Sequence, residues 1–117
     1  MTKELSTDLG NIRIHKDVVR DISYEAIKEV PQVLRVHYSL IDKILKLFKP
    51  TRIVPIKVNI DTQQSKIEVS VPVVIKYGMN ISKVASEIQE KIALRLQEHI
   101  DSFYFQVNVD VRGIEGG

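Results

Sequence analysis

Apolar residues that alternate with other residue types predict the strands of this chain. The clearest run is Lys66 to Tyr77, where isoleucine, valine and tyrosine occupy every second position, the period of a strand with one buried face. It follows a similar run across a short polar turn, so the two runs together predict a hairpin. The segments with strand character are residues 11–15, 32–38, 53–60, 66–77 and 103–112.

Apolar residues that recur every three or four positions predict helices over residues 17–30, 40–49 and 81–100. Pro31 ends the first helix, because the residue before a proline is pushed out of the helical conformation. Asn80 is a residue type that caps helix N-termini, so it is expected to begin the third helix.

The resulting order is β-α-β-(α)-β-β-α-β, and most strands are half apolar and half polar. This pattern predicts an α+β fold of two layers, with helices on one face of a mixed or antiparallel sheet and water on the other. Pro55 and Pro72 cannot donate to a strand ladder, so each is expected at a free edge or at a bulge.

Composition changes this picture little. The chain has 117 residues, 44% hydrophobic and 27% charged, as expected for one globular domain over residues 1–117. Residues 1–8 and 115–117 are predicted to be flexible tails. The absence of cysteine excludes thiol chemistry and disulfides and fits a reducing compartment. No targeting segment and no apolar run of about 20 residues is visible, so a cytoplasmic protein is expected.

The sequence contains none of the common catalytic motifs, neither a phosphate-binding glycine loop nor a nucleophile elbow. The histidines His15, His37 and His99 show no metal-ligand spacing. We therefore predict no enzyme activity, no cofactor, no metal and no small-molecule substrate. The polar face of the sheet carries Tyr104 as its single aromatic, which argues against stacking of RNA bases.

A basic segment offers the clearest candidate for binding. No acidic residue occurs between Lys43 and Asp61, and the helix predicted over residues 40–49 is amphipathic. Such a helix can lie on an anionic membrane surface or on a phosphate backbone. The alternative, which the short length of the helix favours, is that its apolar face packs on the sheet and its lysines are only solvated. The candidate residues are Lys43, Lys46, Lys49, Arg52 and Lys57.

Three blocks of the sequence stand out as a set. They are Gly10 to Ile14 with the following helix and its Pro31 to Val33 turn, Val73 to Ile81 with its Tyr-Gly-Met-Asn run, and Phe105 to Val111. In these blocks the chain resembles the alkaline-shock protein family of bacterial envelope stress response proteins. The chain departs from the family in the stretch 40–49, which is basic where many members are rich in glycine.

The resemblance implies soluble proteins without catalysis that assemble with one another, some of them held at the membrane by an integral partner. We therefore predict a non-catalytic cytoplasmic interaction module for envelope stress and homeostasis. Its expected partners are further copies of itself and a protein that is integral to the membrane. Binding of nucleic acid or of an anionic membrane through residues 43–57 is the alternative.

Overall fold

The computed structural model describes residues 2–7, 10–48 and 54–116, and the side chains of residues 13–48 and 54–116 within them. The predicted α+β fold is confirmed, with one strand more than expected. The elements are β1 (Thr2–Thr7), β2 (Gly10–His15), α1 (Lys16–Lys28), β3 (Val33–Val36), α2 (Leu40–Phe48), β4 (Lys57–Asp61), β5 (Lys66–Lys76), α3 (Ile81–His99) and β6 (Tyr104–Glu115).

The additional strand is β1, where a flexible tail was predicted. It pairs antiparallel with β2, from Thr2 opposite His15 to Thr7 opposite Gly10. The segment contains a single large apolar residue, Leu5, so it shows no periodicity from which a strand could be predicted. At the other end of the chain, β6 continues through Glu115, a residue that was also assigned to a tail.

Strand β5 organises the main sheet, which is mixed. Strand β6 runs parallel to it along its whole length. Strand β4 pairs antiparallel with Lys66–Ser70 of β5, and β3 pairs antiparallel with Val73–Ile75. Since a strand has two edges and β6 takes one of them, β3 and β4 lie end to end along the other.

Pro72 lies at the junction between β3 and β4. Its carbonyl oxygen accepts a hydrogen bond of 2.8 Å from the backbone N–H of His37, just beyond β3. The N–H and C=O groups of one strand residue point to the same edge. The carbonyl group of Pro72 points to this junction, so a backbone N–H at this position, which proline lacks, would point there as well. The break between two short strands therefore accommodates a proline inside the central strand. Pro55 precedes the first paired residue of β4, Lys57.

The core lies between one face of the sheet and the helices α1 and α3. The inward row of β5 is fully buried, as are Val19 and Ala26 of α1. Together they form one hydrophobic cluster with the inward face of α3, which confirms that these two helices cover one face. The buried residues of β5 and α3 are Ile67, Val69, Val71, Val73, Ile75, Val84, Ile88, Ile92 and Leu96.

A tight turn leads from β5 into α3. Gly78 has a φ of +90°, a conformation that glycine adopts at little cost. Two residues later, the Asn80 side chain accepts a hydrogen bond of 3.1 Å from the backbone N–H of Lys83. This confirms Asn80 as the cap of α3.

Candidate interaction surfaces

Helix α2 begins at a reciprocal cap that is encoded locally. The backbone N–H of Ser39 donates to the Asp42 carboxylate over 2.9 Å, and the backbone N–H of Asp42 donates to the Ser39 hydroxyl over 3.2 Å. This is the geometry of a capping box, in which two otherwise unpaired donors at a helix start are satisfied. The Ser-Leu-Ile-Asp sequence carries this signal, although the helix was predicted from its apolar periodicity alone.

No residue of α2 is buried. Its six large apolar side chains are between 43% and 84% exposed, and Leu47 and Phe48 at its end are the most exposed of them. The sequence-based preference for a helix packed on its own sheet is therefore wrong. The physical reason is that α1 and α3 already cover the inward row of β5, the centre of the sheet, so no site remains there for a third helix.

The apolar and charged residues of α2 lie on opposite sides of the helix. At 3.6 residues per turn, the six apolar positions span an arc of about 160°, and Asp42, Lys43 and Lys46 share the remaining side. Both lysines are exposed, and the Lys46 ammonium lies 5.5 Å from the centre of the Tyr38 ring. The apolar residues are Leu40, Ile41, Ile44, Leu45, Leu47 and Phe48.

The structure describes only part of the predicted basic segment. Lys43 and Lys46 lie on α2, and Lys57 is exposed at the start of β4. Lys49 and Arg52 lie outside the described residues. None of the ion pairs formed within the described part of the chain includes Lys43, Lys46 or Lys57, so these cations are available to an anionic partner.

A wide open groove of about 1310 Å³ lies beside α2, between the start of α1 and the start of β4. Its polar groups are largely engaged within the protein. The Arg20 guanidinium donates to the carbonyl oxygen of Ile56 over 2.8 Å and pairs with Asp17 at 2.5 Å, while Ser39 and Asp42 cap α2. The arrangement of these groups is explained by the contacts that they make within the fold.

Two of the three histidines lie at the ends of helices. The Nδ1 atom of His99 lies 2.8 Å from the carbonyl oxygen of Arg95, so it carries the proton and helps to satisfy the C-terminal end of α3. His15 is the exposed residue that precedes α1. Across the described ranges 2–7, 10–48 and 54–116, no group of three or more histidine, aspartate or glutamate residues is arranged to hold a metal ion.

Strand β6 presents a second surface, its outer edge. Within the described residues β6 pairs only with β5. The backbone N–H of Tyr104 donates to the carbonyl oxygen of Ser65, just before β5, so the backbone groups of Tyr104 point towards β5. Alternation along the strand then directs the backbone groups of Phe105, Val107 and Val109 towards the outer edge. The Gln89 side chain of α3 donates to the carbonyl oxygen of Val107 over 3.1 Å, which closes the edge at that point.

The outward face of the sheet is polar, as predicted, and its side chains bind one another. One carboxylate oxygen of Glu68 accepts hydrogen bonds from the side-chain amides of Asn108 at 2.9 Å and Gln106 at 3.2 Å. Asn108 also reaches the Ser70 hydroxyl at 3.4 Å. This network ties β5 to β6.

Two ion pairs link distant parts of the fold. Arg95 of α3 binds Glu29 just after α1 with distances of 2.6 and 2.8 Å, and Arg35 of β3 binds Glu115 of β6 with distances of 2.5 and 3.0 Å. These hydrogen bonds hold the pKa of both carboxyl groups below the ordinary value of glutamate and raise the pKa of both guanidinium groups.

Because of these two ion pairs, we expect the free energy of unfolding to fall in acid. A carboxyl group whose pKa is lower in the folded than in the unfolded chain stabilises the fold above its unfolded pKa, about 4.3, and this contribution disappears as the pH falls through its folded pKa. The double variant Glu29→Gln/Glu115→Gln should therefore be less stable than the parent at pH 7, and the difference should be smaller at pH 3. Urea unfolding at both pH values measures this, and an equal difference at both would contradict it. The effect is modest because the pairs are partly exposed.

Comparison with known proteins agrees with this fold. The sequence model of the alkaline shock protein 23 family, described as having a cell envelope-related function, matches residues 4–116. The chain therefore belongs to this family, which confirms the resemblance stated for its three sequence blocks. Among curated proteins, none gives a significant match.

Solved structures of the MamM CTD show a similar fold. One variant superposes with a TM-score of 0.51 at 16% identity, over 86% of this chain and 99% of the other. A second variant gives a TM-score of 0.50 at 16% identity, over 86% of this chain and 98% of the other. At this level of identity the likeness concerns the fold alone. In the part of the chain that the structure describes, no helix is both long and apolar enough to span a bilayer.

Proposed function

We propose that this member of the alkaline-shock protein family is a non-catalytic, cytoplasmic interaction module of the cell envelope that assembles with copies of itself. The observation that carries the mode of assembly is the outer edge of β6, a strand of 12 residues that pairs with no strand other than β5 in the described part of the chain. A protein integral to the membrane is the partner that would hold the assembled module at the envelope. The envelope role itself derives from the family.

The edge of β6 suits a second copy of the same chain. A strand edge presents alternating donors and acceptors, and pairing with another strand satisfies them. If two copies of β6 pair antiparallel about a twofold axis, each edge supplies what the other lacks, so the interface is self-complementary. Such pairing would join two sheets into one and extend the inward apolar row, of which Val109 and Val111 are only partly buried.

Charges placed on this edge should prevent assembly. Tyr104 and Ile114 lie near the two ends of β6 and are both exposed, so lysine is compatible with the fold at each position. Lysine on an edge strand opposes pairing with a second strand. We expect Tyr104→Lys/Ile114→Lys to weaken self-association at least about tenfold, because like charges would face each other across the twofold axis.

Sedimentation equilibrium over a range of protein concentrations measures this. The matched control is Tyr77→Lys, an exposed tyrosine that follows β5 and lies outside β6; it should assemble like the parent. A parent protein that remains monomeric at high concentration, or a double variant that assembles as well as the control, would contradict assembly through β6.

The envelope partner is tested separately. The tagged chain, recovered from detergent-solubilised and nuclease-treated membranes of its host, should retain an integral membrane protein in a near-constant ratio. Recovery of the chain alone would contradict this part of the proposal. Running the β6 double variant in parallel shows whether the partner binds the assembled module or the single copy.

A further inference from the structure

Helix α2 is an exposed amphipathic helix whose stability needs an explanation. It has nine residues, none of them buried. A helix of this length is marginal in water, because nucleation costs more than a few turns regain. The capping box of Ser39 and Asp42 helps at one end only. A helix that leaves a broad apolar side in water is typical of a contact surface that is covered in the working protein.

We propose that α2 lies in the interface of an anionic lipid bilayer, with its apolar side towards the acyl chains. Charge complementarity supports this occupant. Lys43 and Lys46 are on the opposite side of the helix, where the single carboxylate, that of Asp42, is bound to Ser39 in the helix cap. Lys57 is exposed nearby in the sequence, and no acidic residue occurs between Lys43 and Asp61. Long lysine side chains on such a helix reach the headgroups while the apolar side is buried.

The dimensions suit a helix that lies on the bilayer rather than one that crosses it. Nine residues span about 14 Å, less than half of a hydrocarbon core of about 30 Å. Leu47 and Phe48 are the most exposed apolar side chains of α2, at 84% and 80%, and are expected to enter the acyl region. A single short helix binds weakly, so assembly through β6 would strengthen attachment by presenting several copies at once.

Other occupants fit these observations less well. A phosphate backbone of a nucleic acid would bind the lysines but would leave Leu47 and Phe48 in water. Two copies of α2 packed face to face would bury the apolar sides but would leave the lysines on the two outer sides without a negatively charged partner. A bilayer with anionic headgroups meets both requirements, apolar burial and negative charge.

The chain contains no tryptophan, so one introduced tryptophan reports on its own surroundings. In Phe48→Trp the fluorescence should shift to shorter wavelength when vesicles of phosphatidylglycerol and phosphatidylcholine are added, and brominated acyl chains should quench it. The matched control is Leu94→Trp on α3, where the parent leucine is exposed among charged residues. Its emission should remain that of a solvated indole.

Two further changes separate the apolar and electrostatic contributions. Leu47→Ser in the tryptophan-labelled chain should lower the partition coefficient about tenfold, because one large apolar side chain no longer enters the bilayer. Neutralising Lys43 or Lys46 with glutamine should lower it about fivefold each on anionic vesicles and have little effect on pure phosphatidylcholine. Since α2 contains no buried residue, the far-ultraviolet circular dichroism of all variants should stay that of the parent.

The outcomes distinguish this inference from the proposed assembly. The β6 double variant, which is expected to be monomeric, should still show the shift of Phe48→Trp, with a lower partition coefficient. No shift on anionic vesicles would overturn the inference, whatever the result at β6. A shift produced by an oligonucleotide without vesicles would also overturn it and would assign the apolar side of α2 to nucleic acid. A shift that depends on protein concentration alone would overturn it as well and would assign that side to a second copy of the chain.

Discussion

Leu96→Ala is expected to lower the free energy of unfolding by about 3 kcal/mol, within the range of about 2–5 kcal/mol that this substitution costs in a packed core. Leu96 is completely buried, as are Ile92 and Ile88 about one and two turns before it. Together they face the inward row of β5 and fill the space between helix and sheet. Truncation leaves a cavity here, because the rigid central strand has paired neighbours on both edges and cannot move to close it.

The matched control is Leu94→Ala, which makes the same chemical change two residues away on the same helix. Leu94 is 49% exposed, so its loss should change the stability by no more than about 0.5 kcal/mol. Urea unfolding followed by circular dichroism measures both variants, at one fixed protein concentration because assembly would raise apparent stability. Equal losses for the two variants would contradict the orientation of α3 described here.

Gly78→Val should have the second largest effect, a loss of about 2 kcal/mol. With a φ of +90°, Gly78 adopts a backbone conformation that costs an ordinary residue about 1–2 kcal/mol and a β-branched residue more. A Cβ atom at this position would meet no other atom within 4 Å, so the cost arises from the backbone and not from a steric clash. The turn joins the central strand to the longest helix, and its strain acts on both.

Two substitutions distinguish this cause from a general sensitivity of glycines. Gly78→Asn should retain most of the stability, because asparagine tolerates positive φ better than other residues that carry a side chain. Gly116→Val is the control for added bulk, since a Cβ atom at Gly116 would also meet no other atom within 4 Å and the backbone there has no positive φ. Urea midpoints that rank valine and asparagine equally at position 78 would refute the backbone explanation.

Strand β1 is the element that could not be predicted from the sequence. Periodicity detects a strand through the apolar residues on its buried face, and the segment Thr2–Thr7 contains only Leu5 of that kind. Its pairing with β2 is made by backbone groups, which every sequence carries alike. A strand held in this way has no signature in its own side chains.

Pro72 and α2 show the same division between what local sequence predicts and what the fold decides. Proline has no backbone N–H in any fold, so it was predictable that Pro72 would need a position without a hydrogen-bonding neighbour. Only the pairing of β3 and β4 with β5 showed that the gap between these two strands lies opposite Pro72. The amphipathic character of α2 and its basic side were also predictable. Whether its apolar side packs on the sheet depended on the space that α1 and α3 leave.

The sequence by itself therefore determined the helices, the four strands of the main sheet, the inward rows of β5 and β6, the cap of α3 and the family. Each follows from local periodicity, capping or a short motif, which depend on residues close together in the chain. Only the tertiary structure decided that β3 and β4 share one edge of β5, that β6 pairs only with β5 within the described residues, and that α2 remains exposed. These features depend on which segments compete for the same edge or face of the sheet, and that competition involves residues far apart in the sequence.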